Sequence, residues 1–149
     1  MRFFILMTLL IPLSLTAQNR MEGIWAGHMV MNGLDGAEEL PFELFLDIKR
    51  NGTVTGASYL YLQNGDIVEM TLKGRIYGDR SVYMEEYEHL PIVGSNSKPV
   101  YSRKYEFQMQ RSLSGDVIKG FWQQIIGTPL FPKRSLGRIE LKRVKESKV

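Results

Sequence analysis

Hydrophobic and polar residues alternate along most of the chain after residue 23, and this period of two most constrains the fold. The clearest run is Pro41–Lys49, in which Phe42, Leu44, Leu46 and Ile48 occupy every second position. Such alternation is typical of strands with one buried and one exposed face. Helical periodicity is nearly absent, so we predict an all-β domain.

Turn signals divide the alternating segments into eight predicted strands. Asn51-Gly52, Asn64-Gly65 and Gly78-Asp79 suit tight hairpin turns, because these residues tolerate positive φ angles. The predicted strands are Ile24–Val30, Pro41–Lys49, Val54–Leu62, Ile67–Tyr77, Ser81–Tyr87, Tyr101–Gln110, Val117–Gln124 and Gly137–Val144. Successive segments of this kind predict an antiparallel up-and-down meander.

Four glycines in strand interiors favour closure of this meander. Gly27, Gly56, Gly74 and Gly120 lie where a flat sheet would be weakened, whereas tightly coiled strands use glycine there. Closure also removes the two exposed sheet edges. We therefore predict an eight-stranded antiparallel up-and-down β-barrel with no substantial helix, its last strand paired with its first. A β-sandwich is the alternative.

Residues 1–17 have the organisation of a secretory signal peptide. Arg2 precedes the apolar run Phe3–Leu15, and the small residue Ala17 is followed by polar residues. The apolar run is short for a membrane span. We expect export of residues 18–149 as a single soluble barrel domain, periplasmic or extracellular, with no integral membrane segment in the mature chain.

Composition argues against catalysis, nucleic-acid binding and metal binding. The chain has no cysteine, and its net charge of +3 comes from 19 basic and 16 acidic residues mixed along it, without a nucleic-acid motif. No nucleophile elbow, zinc-binding His-Glu-x-x-His or phosphate loop occurs. Glu85, Glu86, Glu88 and His89 cluster in sequence, but alternation places Glu85 and Glu86 on opposite faces. We predict a protein without enzymatic activity, metal or cofactor.

The predicted barrel interior is mostly apolar, and eight strands enclose either a packed core or one small ligand. Glu86, Arg103 and Gln124 are polar exceptions at inward positions on neighbouring strands. We interpret them as residues that bind and orient the polar head group of a small, largely apolar ligand. The alternative is that they lie at a hydrated rim of the barrel and bind no ligand. The candidate ligand-binding residues are Met29, Met84, Glu86, Arg103, Tyr105, Trp122 and Gln124.

Connection lengths predict which end of the barrel is open. The long connections Met31–Leu40, Glu88–Val100 and Ile125–Leu136 all fall at one end, whereas the three turns at the other end are tight. Binding residues commonly lie on loops held by a rigid scaffold. We therefore expect the mouth at the end with the long loops, where the apolar segment Ile125–Pro132 either forms a lid or packs on the rim.

Aromatic residues on the predicted outer face of strands two to five form a candidate interface. They are Phe45, Tyr59, Tyr61, Tyr77, Tyr83 and Tyr87. A contiguous aromatic surface suggests a homo-oligomer or a protein partner, although tyrosine also favours exposed strand positions and a register slip would scatter the group. The rival function is a secreted protein-interaction or inhibitor-type module with a filled barrel, contacting partners through its long loops or this face.

The segment Gly23-Ile24-Trp25 resembles the Gly-x-Trp opening of calycin barrels, the group that includes lipocalins, fatty-acid-binding proteins and avidins. In lipocalins this tryptophan packs at the closed end beneath an arginine near the last strand. The resemblance implies that Trp25 and Arg143 form such a barrel-closing pair, in which a guanidinium stacks on an indole.

The order of short motifs is more similar to avidins. Asn51–Gly56, Leu72–Arg75 and Ile118–Trp122 follow the opening motif, and Trp122 matches the inward tryptophan of the seventh avidin strand. Ser58 stands near the position of an expected tyrosine, and the last predicted strand offers no aspartate. The resemblance therefore implies the fold and not biotin recognition.

Overall fold

Eight antiparallel strands close into a barrel in the computed structural model, which describes residues 20–89, 102–128 and 131–144. The strands are β1 Gly23–Val30, β2 Glu39–Ile48, β3 Thr53–Tyr61, β4 Ile67–Ile76, β5 Ser81–His89, β6 Arg103–Ser112, β7 Gly115–Thr128 and β8 Phe131–Arg143. Each strand pairs with the next, and β8 pairs with β1. The predicted all-β up-and-down barrel is thus confirmed, while the predicted signal peptide lies outside the described residues.

The alternation seen in the sequence separates the barrel interior from its outer surface. Along β2, Phe42, Leu44 and Leu46 are fully buried, whereas the residues between them are exposed or partly exposed. Inward residues from all eight strands join one apolar core. Within the described residues, no helix has the length and apolar character needed to cross a membrane.

Glycines allow adjacent strands of this small barrel to approach one another closely. A Cβ atom at Gly56 would lie 1.9 Å from the carbonyl oxygen of Phe45, and one at Gly74 would lie 1.9 Å from that of Tyr83. Real side chains cannot occupy such positions without displacing the backbone. These glycines therefore serve the tight curvature that their mid-strand positions predicted.

Trp25 and Arg143 meet at the lower end of the barrel, defined here as the end where β1 begins. They are direct partners in the β1–β8 register, and the Arg143 guanidinium carbon lies 4.5 Å from the Trp25 ring centroid. The Trp25 indole donates to the carbonyl of Met21 at 2.9 Å, and Arg143 Nη1 donates to the carbonyl of Glu22 at 2.7 Å. Both side chains thereby fix the backbone at Met21 and Glu22, just before β1, across this end of the barrel.

The prediction of a long loop at Ile125–Leu136 is wrong, because β7 and β8 remain paired through most of this segment. Ile125 pairs with Arg134, and Thr128 pairs with Phe131. Pro132 lies in β8 and pairs with Gly127 of β7. Proline is compatible with this position because β1 pairs with β8 only at residues 139–143, so Pro132 has a partner strand on one side. The segment therefore continues the antiparallel pairing of β7 and β8. Its paired backbone forms neither a lid nor a loop packed on the rim.

Candidate functional site

The structure brings buried polar side chains together inside the barrel, toward the upper end where β1 and β5 finish. Within the described residues, the buried polar or charged side chains are Ser58, Glu86, Arg103 and Gln124. They lie on β3, β5, β6 and β7, respectively. Sequence reasoning selected the last three and placed Ser58 inward, but no sequence signal connected Ser58 with Glu86.

Glu86 and Arg103 form an ion pair that is almost completely removed from water, with exposures of 4% and 1%. Arg103 Nε lies 3.0 Å from Oε1 and 3.2 Å from Oε2 of the carboxylate. The backbone N–H of Arg103 also donates to Oε2, at 2.9 Å. Charge-assisted hydrogen bonds of this kind offset part of the cost of burying two charges.

Two hydroxyl groups complete the surroundings of the Glu86 carboxylate. Tyr105 donates to Oε1 at 2.6 Å, and Ser58 donates to the same oxygen at 3.4 Å. Burial, the largest cause, raises the pKa of Tyr105 well above its ordinary value of 10.0, and the neighbouring Glu86 charge raises it further. Tyr105 therefore keeps the proton that it donates to Glu86.

An apolar floor lies next to this polar cluster. Arg103 Nη1 lies 3.6 Å from the sulfur of Met29, and the Tyr105 ring stacks on Phe42 with centroids 5.8 Å apart. In the strand register, Tyr105 is opposite Met84 on one side and Trp122 on the other. The cluster therefore places charge and hydroxyl groups at the boundary of an otherwise apolar interior.

All seven candidate ligand-binding residues lie on the interior side and are buried: Met29, Met84, Glu86, Arg103, Tyr105, Trp122 and Gln124. Gln124 is directly opposite Arg103 in the β6–β7 register. The Trp122 indole N–H donates to the carbonyl of Val30 at 2.9 Å, so this side chain contributes its ring to the interior. The register thus makes these residues neighbours, although they lie up to about a hundred positions apart in the chain.

The arrangement places a neutral ion pair, and two hydroxyl groups that donate to its carboxylate, above apolar walls. Such a combination can orient a polar head group while excluding water from the body of a ligand. Within residues 20–89, 102–128 and 131–144, no group of three acidic or histidine side chains is placed to hold a metal ion.

The six aromatic residues of the candidate interface lie outside the barrel but differ in exposure. Phe45, Tyr77 and Tyr87 are about half exposed, whereas Tyr59, Tyr61 and Tyr83 are partly buried. Acidic residues interrupt the group, because Tyr59 has Glu43 and Glu69 as its direct partners on the neighbouring strands. Burial, and then the charge of Glu69, raises the pKa of Tyr59. This surface is therefore mixed aromatic and acidic.

Comparisons of the chain with protein-family models, with curated proteins and with solved structures gave no match. The geometry itself defines the class of fold, a closed up-and-down barrel of eight strands with a polar cluster inside one end. Membership of the calycin group, suggested by Gly23-Ile24-Trp25, stays a prediction.

Proposed function

We propose that this protein is an exported, non-catalytic barrel that binds a small, largely apolar ligand with a polar head group. The head group would contact the upper end of the interior, at Glu86, Arg103 and Gln124. The observation that carries this proposal is the buried ion pair between Glu86 and Arg103, set against apolar walls.

The cost of burying this pair supports a functional role. Well-packed hydrophobic residues often replace a buried ion pair with no loss of stability, so stability alone does not require one. The apolar walls fit the same interpretation, because Met29 and Met84 have flexible, polarisable side chains that adapt to an irregular ligand. Polar groups of fixed orientation within apolar walls are typical of small-molecule sites.

Export is supported by the sequence pattern of residues 1–17, a basic residue followed by an apolar run and a small residue. The mature protein would then function in the periplasm or outside the cell. In such a compartment, a soluble barrel can hold an apolar molecule that water solvates poorly.

Native mass spectrometry of the protein purified from its own host tests the proposal. We expect a co-purifying small-molecule mass that is lost on denaturation, and a reduced fraction of bound protein for Tyr105→Phe. Tyr77→Phe removes a hydroxyl from an exposed position and serves as the matched control. A ligand-free mass, from protein that also takes up no apolar fluorescent probe, would contradict ligand binding.

A second candidate function is a protein-interaction module with a filled barrel. It is supported by the half-exposed outer side chains of Phe45, Tyr77 and Tyr87, because aromatic residues are enriched where proteins contact partners. Replacing Phe45 and Tyr87 by serine should then dissociate a complex in size-exclusion chromatography. The same substitutions should leave binding of an interior ligand unchanged.

A further inference from the structure

A concave site lies on the outer wall of the barrel, across β5 to β8. This groove has a volume of about 320 Å³ and lies on the opposite face of the sheet from the Glu86–Arg103 pair. Its apolar lining includes Leu34, Phe121 and Leu136, and the side chains of Leu34 and Phe121 are 46% and 57% exposed. Aromatic and aliphatic surface is thus available to an occupant.

A main-chain hydrogen bond fixes the position of one wall of the groove. The backbone N–H of Gly33 donates to the carbonyl of Leu136 at 2.9 Å, so the connection that carries Leu34 is fixed to β8. Asn32 and Gly33 have φ angles of 61° and 112°, which turn the chain toward that strand. Such a preformed wall lowers the entropy cost of binding.

Positive charge flanks one end of the groove. Lys104 on β6 and Arg134 on β8 both line it, on either side of Gln123 on β7. Glu106 also lines the groove, away from these two residues, and is opposite Phe121 in the β6–β7 register. Lys104 lies 3.0 Å from Glu85, whereas Arg134 donates to the neutral side chain of Gln123. The hydrogen bond with Glu85 raises the pKa of Lys104 above its ordinary value, so Lys104 stays protonated at neutral pH.

We propose that this outer groove binds a small amphipathic molecule with an anionic head group. Its apolar body would lie on Phe121 and Leu136, and its head group between Lys104 and Arg134. A volume of about 320 Å³ is at the lower end of the range for small-molecule pockets, about 300–1,000 Å³. The occupant is therefore a single dissolved molecule and not a lipid surface.

Decanoate, decanol and decyltrimethylammonium share an alkyl chain and differ in head-group charge, so they test the proposal by calorimetry and NMR. Decanoate should bind saturably below its micelle concentration and shift the signals of Phe121 and Leu136. Arg134→Gln and Phe121→Ser should each weaken its affinity about tenfold, the loss expected for one charge-assisted contact or one apolar contact surface. Lys119→Gln and Phe45→Ser, at exposed positions outside the groove, should leave the affinity unchanged.

Three results would overturn the proposal. The first is binding of decanol or decyltrimethylammonium as tight as that of decanoate, and the second is association with anionic vesicles without binding of monomeric decanoate. The third is a set of shifts confined to interior residues, with an affinity that falls in Tyr105→Phe and not in Phe121→Ser. That last pattern would support the interior site while excluding the outer one.

Discussion

Trp122 and Gly137 are directly opposed on β7 and β8. Because Gly137 has no side chain, the Trp122 indole can extend across β8 to β1. The indole N–H donates to the carbonyl of Val30 at the end of β1, at 2.9 Å. A Cβ atom at position 137 would lie 1.9 Å from that carbonyl oxygen and 2.5 Å from the indole nitrogen. One glycine thus permits a side-chain link among β7, β8 and β1.

Gly137→Ala should destabilise the barrel strongly. The added methyl group collides with the Val30 backbone and displaces the Trp122 indole, so overpacking and a lost hydrogen bond act together. We expect the free energy of unfolding to fall by about 2–4 kcal/mol, measured by urea denaturation.

Gly78→Ala is the control for this substitution, because a Cβ atom at Gly78 would meet no atom within 4 Å. It should leave the urea midpoint nearly unchanged. Equal effects of the two substitutions would show that the close contact at Gly137 is not what limits stability.

Removing one partner of the interior ion pair should cost more than removing both. Glu86→Gln leaves the Arg103 charge buried, and Arg103→Met leaves the carboxylate buried, so each should reduce the free energy of unfolding by about 3–5 kcal/mol. The double variant should lose much less than the sum of these values. A double-mutant cycle in urea measures this difference, and additivity would contradict the coupling.

The adjacent ion pair on the same two strands provides the control for this cycle. Glu85 and Lys104 are direct partners on β5 and β6, lie 3.0 Å apart and are about half exposed on the outer face. Water already solvates both groups, so removing either partner should change stability little.

Raising the pH above about 10 should weaken the fold through Tyr105. Its pKa is about 10.0 in the unfolded chain and well above this when folded, chiefly because of burial. Above pH 10 the unfolded state therefore loses a proton that the folded state retains, and the free energy of unfolding falls by up to about 1.4 kcal/mol per pH unit. Stability is fully present below this range.

Tyr105→Phe tests that pH dependence through the slope of stability between about pH 9 and pH 11, roughly one unit either side of the ordinary tyrosine pKa. The slope should become shallower, although Tyr59, Tyr61 and Tyr83 also have raised pKa values and contribute in the same direction. An identical slope in the two proteins would assign the effect to the other tyrosines. The substitution also removes a hydrogen bond to a carboxylate, which lowers stability at neutral pH by about 1.5–3 kcal/mol.

Arg143→Lys should loosen the lower end of the barrel despite keeping the charge. Lysine cannot stack a planar group on Trp25 while donating to the Glu22 carbonyl, as Arg143 does. We expect a loss of about 1–2 kcal/mol and a changed tryptophan emission. Arg138→Lys, at an exposed position 3.9 Å from the exposed Asp35, should change neither quantity, and equal behaviour of the two variants would contradict a special role for stacking.

The strands and their inward faces follow from the sequence because alternation and hairpin turns are local signals. The extent of β7 and β8 does not, since Thr128 and Phe131 are paired across a segment whose prolines are typical of loops. There the hairpin ladder outweighs the local preference of the residues.

The inward positions of Glu86 and Arg103 could be predicted, but the convergence of Ser58 and Tyr105 on one carboxylate oxygen could not. A β-bulge between Thr71 and Leu72 shifts the register of β5 on β4, and no sequence pattern marks it. The outer groove was missed because the position of Leu34 depends on the hydrogen bonds of a connecting segment, including the one from Gly33 to Leu136.

Tyr105 borders both proposed sites, since its side chain contacts Glu86 in the interior while Tyr105 also lines the outer groove. At this point, a single residue of β6 separates the barrel interior from the outer groove. If both proposed sites bind ligands, a molecule that shifts Tyr105 from one side would change the affinity of the other side. By thermodynamic linkage, the influence is equal in both directions.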